Sequence, residues 1–353
     1  MMNILPRELI GEISNLLQLK DAIELGKTNW KFLTNLSKFD FGYKVNHPVH
    51  VNTILDVDCR NGNGNGNRKR YAKRKQYVVG NFRHIQIESF DELIQSQILW
   101  SCLTHLTFGF DFNQSIDIVK FPETLTHLEF GCEFNQPVDN LTLPESLTHL
   151  TFGYYFNQSV DNLKLPTSLT HLDFGNFDQS VDNLKLPELL ERLTFGDEFN
   201  QSVDNLKLPQ YLIHLTFGHN FNLCIDKLTL PPYLTHLTFG YYFNQSVDNL
   251  ALPQSLTHLI FGYEFNQSIE NLILPKFLTH LMFGTHFDMT IENLKLPPSL
   301  THLTFGFYFN QSIDNLKIPQ SLKYLILGVN FNQSIGYLST LSRSSPHLII
   351  RRK

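Results

Sequence analysis

The chain has 353 residues, 42% of them hydrophobic and 17% charged, with a formal net charge of −5. That balance allows a substantial core and excludes a protein that holds polyanions through its overall charge. No run of about 18 apolar residues occurs, so a membrane-spanning helix is excluded as well.

Residues 1–50 read as a small helical domain. Pro6 suits the first turn of a helix, with Glu8 near the positive end of its dipole. Leu9, Ile10, Ile13, Leu16 and Leu17 follow at helical spacing, and Lys20-Asp21 marks a junction before Ile23 and Leu25. The start, MMNILPRELIGEI, lacks the basic and apolar stretches of a secretory signal. Cys59, Cys102, Cys132 and Cys224 stand far apart, which fits reduced thiols better than disulfides or a zinc site. An intracellular, cytoplasmic protein is expected. By pattern alone the helices cap whatever follows. Leu5-Pro6-Arg7-Glu8-Leu9-Ile10, Leu17-Gln18-Leu19-Lys20-Asp21 and Asn29-Trp30-Lys31 also resemble, in turn, the opening, the mid-helix turn and the later aromatic stretch of an F-box. That resemblance implies docking on a Skp1-like adaptor of a cullin ubiquitin ligase, with Leu5, Pro6 and Ile10 as candidate contacts.

Residues 51–76 read as a linker. Asn61 to Asn67 spells NGNGNGN, too polar and permissive to pack, and RKRYAKRK follows from Arg68 to Lys75. Six of the 28 Lys and Arg fall in those eight residues. They read as a solvated stretch that keeps the linker extended, with nuclear import and a nucleic-acid contact as the other readings. Over residues 77–102, Tyr77-Val78-Val79 and His84-Ile85-Gln86-Ile87 have strand character. Phe90, Leu93, Ile94, Ile98, Leu99 and Trp100 are placed to shield the start of an array.

The array itself is a 22-residue repeat, LTHLTFGxxFNQSVDNLKLPxS. Its copies open at Leu103, Leu125, Leu147, Leu169, Leu190, Leu212, Leu234, Leu256, Leu278, Leu300 and Leu322. Only the fourth is a residue short, in FGNFDQS. Counting the opening Leu as position 1, LTHLTF is expected to be a strand that Gly ends, with one face buried. No segment has helical length or spacing, so each repeat is one turn of a β coil and neighbours complete its core. Phe at positions 6 and 10 places 21 of the 30 Phe in two interior columns. At about 4.8 Å per strand the eleven repeats extend roughly 50 Å. Residues 345–353 read as a tail.

Phe112-Asn113 with Ile116, Phe134-Asn135 with Val138, and Phe265-Asn266 with Ile269 resemble the FNIP repeat, a relative of the leucine-rich repeat. Asp178 and Asp288 depart from it. The resemblance implies a solenoid built for protein interaction, of a kind found mostly in amoebae and the large viruses that infect them. An F-box ahead of such an array is a usual arrangement in that family.

Several ladders could be mistaken for active sites. His105, His127, His149, His171, His214, His236, His258, His280 and His302 share position 3, on the face away from Leu and Phe. A straight column does not converge on a zinc ion, and Arg192 interrupts it. The NQS triplets read as an Asn ladder that bonds backbone groups in its turn. Stacked Asp at position 15 should repel one another unless they are bonded or paired with a nearby Lys such as Lys164 or Lys207. No GxSxG, HExxH or GxxxxGK[ST] motif occurs. No enzyme, metal or cofactor is therefore expected. Recognition falls to exposed positions that vary, above all the pair after Gly: Tyr154, Tyr155, Tyr241, Tyr242, Tyr263, Phe307 and Tyr308 are candidate anchors for an unidentified protein target.

Overall fold

The computed structural model describes residues 49–50, 84–87, 103–334 and 349–352. The expected helices with Leu5, Pro6 and Ile10, the basic linker and Tyr77-Val78-Val79 lie outside the described residues. Fourteen parallel strands form one sheet in sequence order. They run from β1 (Val49–His50) and β2 (His84–Ile87), through one strand per repeat from β3 (His105–Phe108) to β13 (Tyr324–Leu327), to β14 (Ile349–Arg352). The register steps by one repeat, pairing His127 with His149 and Leu128 with Leu150. Residues 349–352, read from the sequence as part of a tail, instead pair with the last repeat, Leu325 opposite Ile350.

Strands in most repeats hold three residues rather than six, as in His149–Thr151. The opening Leu is fully buried but belongs to a corner: Leu169 N–H donates to Pro166 O at 3.1 Å. Two more tight turns complete each coil, Phe156 N–H to Gly153 O at 3.1 Å and Leu163 N–H to Val160 O at 3.1 Å. The coil is thus three-sided, with corners at positions 8–9, 15–16 and 21–22. Three short sides leave no room for a helix.

Both Phe columns are buried throughout. Phe152 and Phe156 of one coil stack at 4.1 Å, while Phe152 meets Phe174 of the next at 5.8 Å. Burying one Phe contributes about 2–3 kcal/mol, so the columns carry much of the stability. The Gly after the strand is required by close approach. A Cβ on Gly240 would lie 1.6 Å from Gly218 O, the backbone of the preceding coil.

Asn at position 11 does not bond its own turn. Its Oδ1 accepts from the backbone N–H of the same position one coil later, as Asn135 does from Asn157 at 2.9 Å. Only an acceptor oxygen is used, so Asp178 and Asp288 serve equally, accepting from Asn200 and Asn310 at 2.9 and 2.8 Å. Position 15 also differs from expectation. Its carboxylates take the next coil's Asn Nδ2, as Asp139 does from Asn162 at 3.1 Å, and Lys227 reaches Asp204 at 2.9 Å. Among the described residues Lys164 and Lys207 make no such pair.

The short fourth repeat loses one residue at its first corner. Gly175 takes φ of 60°, a conformation that favours glycine, and Phe177 donates to Phe174 O at 3.3 Å. Phe177 stays fully buried in its column.

Candidate functional site

The sheet exposes positions 3 and 5. The imidazoles are half-buried and stack in two runs, His105 to His171 at 4.0–4.1 Å and His214 to His302 at 4.1–4.2 Å. Arg192 separates the runs, as its place in the repeat implies. Every ring except His214, which follows Ile213, is held by the preceding Thr. Thr257 Oγ1 spends its one hydrogen on Thr235 O at 3.0 Å, so His258 Nδ1–H donates to that oxygen at 2.8 Å. Nε2 is left as an outward acceptor. Burial, then repulsion from neighbouring imidazoles, lowers the pKa of His236, His258 and His280, the last to about 4. Parallel lone pairs some 4 Å apart do not converge on one ion at a bond length of about 2.0–2.1 Å. Among the described residues no cluster of three or more His, Cys, Asp or Glu could hold a metal.

The first corner carries the aromatic candidates, and it brings most of them together. Tyr241 stacks on Tyr263 at 4.4 Å and on His219 at 4.6 Å. Tyr242 meets His219 edge-on at 5.0 Å. The ridge continues from Tyr263 to His286 at 4.9 Å, and from there to Tyr308 at 5.0 Å. Phe307 packs against Tyr308 at 5.0 Å. Five consecutive repeats thus present one aromatic ridge, with Tyr308 and Phe307 each more than two fifths exposed. Tyr154 and Tyr155 form a separate edge-on pair at 5.1 Å, cut off from the ridge by the short fourth repeat and by Asp197-Glu198 of the fifth.

Beside Tyr308 the corner opens into a recess of about 360 Å³ lined by Asn244, Glu264, Asn266, His286 and Tyr308. A carboxylate only accepts, so His286 Nδ1 donates to Glu264 Oε2, at 2.6 Å. Sequence reading missed His286, because it stands at position 9 and outside the regular His column. It also missed exposed Leu189, Tyr211, Tyr233 and Phe277 at position 22, where Tyr211 and Tyr233 stack at 5.7 Å. The signal was present: other repeats carry Ser or Thr there, whose hydroxyl donates to a Leu carbonyl, as Ser168 does to Leu147 at 2.7 Å.

Among the described residues no helix is long and apolar enough to cross a membrane. No curated protein matches the chain. A solved structure described as CroV588, a novel circular LRR protein, is 50% identical with a TM-score of 0.67, covering 74% of this chain and 39% of that one. The chain therefore spans about two fifths of the length of that relative. An internalin from Listeria monocytogenes is 17% identical, with a TM-score of 0.42 over 77% of this chain and 88% of that one. The FNIP Repeat family model matches residues 90–133, 134–177, 177–220, 199–232, 221–264, 265–308 and 309–336, well over half of the chain. With the period, the buried Phe columns and the Asn ladder behind that match, the chain belongs to the FNIP-repeat family.

Proposed function

We propose that this chain is a non-enzymatic adaptor whose solenoid holds a protein target while its amino-terminal segment docks on a Skp1-like subunit of an SCF-type ubiquitin ligase. The observation that carries the interaction role is the continuous exposed aromatic ridge from His219 to Tyr308, set on a rigid repeat core. The ligase connection rests on the F-box-like residues Leu5, Pro6 and Ile10. The mechanism is proximity: a bound target is carried to the ligase, and the linker sets its effective concentration there.

A pull-down of the full chain with Skp1, beside a Leu5→Ala/Pro6→Ala double variant, tests this. Binding that the double variant abolishes is the expected result. A folded full chain that ignores Skp1 would sink the ligase role. One observation favours a second reading, a free-standing scaffold whose head only caps the array. Val49–His50 already pairs with β2 as the first strand of the sheet, which ties the end of the head to the solenoid.

A further inference from the structure

We propose that the side of the solenoid bearing the aromatic ridge binds a basic, arginine-containing segment of a protein partner, with one guanidinium seated in the recess between Glu264 and Tyr308. This deepens the interaction role proposed above and rests on it.

Charge is the first ground. Positions 8–15 of the eleven repeats, from the first corner to the second, contain 17 Asp and Glu and no Lys or Arg. The array's cations stand elsewhere: Lys120, Lys164, Lys185, Lys207, Lys295 and Lys317 at position 18, Arg192 at position 3, Lys323 at position 2, and Lys276 and Arg343 at positions 21 and 22. Lys227, at the second corner, neutralises a single carboxylate. Apart from that one pair, this long side of the coil is acidic, and carboxylates about 5 Å apart along a column attract polycations strongly.

Local chemistry is the second, independent ground. The Tyr308 ring lines the recess and offers a π face to a cation, while Tyr263, stacked on Tyr241, backs His286 from outside the lining. One oxygen of Glu264 accepts from His286, which leaves the other for a ligand. Asn266 Oδ1 accepts from the Asp288 amide at 2.9 Å and keeps a second lone pair for a ligand, whereas Asn244 Oδ1 is filled by the Asn266 amide and Gln267 Nε2 at 2.9 and 3.0 Å. Such a lining asks its ligand for donors and positive charge. An anionic segment meets carboxylates, and an apolar one leaves them unpaired. A planar guanidinium matches both the carboxylate and the ring.

The test is fluorescence anisotropy on the full chain with three labelled dodecapeptides, one Arg-rich, one Glu-rich and one Gly/Ser. The Arg-rich peptide should bind alone and weaken as salt rises. Glu264→Gln and Tyr308→Ala should each weaken it about tenfold, equivalent to about 1.4 kcal/mol, while Asp117→Asn at the far end changes it less than about twofold. These side chains are half-exposed, so the melting temperature controls for folding. Equal binding of all three peptides would overturn the proposal, and so would equal losses at Asp117 and Glu264, which mean diffuse charge alone. If serine at all six basic positions of 68–75 tightens peptide binding tenfold, the occupant is the chain's own linker and the partner assignment fails. Self-association that Glu264→Gln abolishes would name a second copy instead, with the same consequence. Skp1 capture without peptide binding sinks this inference alone; peptide binding without Skp1 capture sinks only the ligase role.

Discussion

Repeats seven to ten and repeats four to six share one interior and differ in their surface. In the first group the His column runs unbroken from His236 to His302, and position 22 is Ser except for Phe277, with Ser255 and Ser321 donating to Leu234 and Leu300 at 2.7 Å. In the second, a corner residue is missing, Arg192 replaces His, and Leu189 and Tyr211 replace Ser. The buried Phe columns pass through both without a gap. Coil-to-coil contact inside is close packing among large rings and admits no vacancy. Each surface ladder step is a single hydrogen bond worth about 1 kcal/mol, and one step can be given up for another use.

The largest effect should come from Gly240→Ala, in the regular group. Its Cβ would meet a backbone oxygen 1.6 Å away, and no rotamer relieves it. A loss of about 3 kcal/mol or more is expected in urea denaturation, with the array opening at that coil. A loss below about 1 kcal/mol would mean that the coils can separate locally, and that the interior is softer than the shared columns imply.

Phe truncation asks whether the two groups really have one interior. Phe243→Ala removes a fully buried ring 4.1 Å from Phe239, and about 3–5 kcal/mol should be lost. Phe177→Ala in the short repeat should cost less, since Phe174 lies 4.9 Å away and packs less closely. Equal melting temperatures for the two variants would show that the missing corner residue does not loosen the core.

Acid should act on both groups through their His runs. Burial first, then neighbouring imidazoles, hold His236, His258 and His280 below the ordinary 6.5, and burial, then Arg192, holds His171 and His214 there. The neutral folded form is then the favoured one. Its stabilisation is complete above pH 6.5 and is lost as pH falls toward the folded values, about 4 for His280. The melting temperature at pH 5.5 should lie below that at 7.5. Burial raises the Asp173 carboxyl, which works in the opposite direction at lower pH. Arg192→His would join the two runs into one of ten and steepen the fall. A melting temperature unchanged over that interval would refute the ladder's sensitivity.

What the sequence shows of this molecule is whatever repeats within one coil. Period, strand position, both Phe columns and the outward His face all follow from spacing. Bonds between coils are harder to read, because Asn157 and its acceptor Asn135 are 22 residues apart and each also looks like a local turn former. The three-residue strand escaped for a related reason: Leu147 is as buried as Leu150, although one sits in a corner and the other in the strand. Aromatic positions at the corner were readable one by one. Their union into a ridge through His219 and His286 depends on adjacency across coils.

The smallest effect is also the sharpest on what the irregular repeats are for. Tyr233→Ser would restore the hydroxyl that, in its neighbours, donates to the carbonyl one coil back, here Leu212. It also removes an exposed ring stacked on Tyr211 at 5.7 Å. If the ladder bond is the larger contribution, the variant gains about 0.5–1 kcal/mol, read as a small rise in melting temperature. Stability would then not explain Tyr233, and its place among Leu189 and Tyr211 would mark a second contact surface, at the third corner of the coil. A fall in melting temperature would instead make the Tyr pair a structural substitute for the lost bond, and the surface of repeats four to six would differ from that of seven to ten only in how it holds the same coil together.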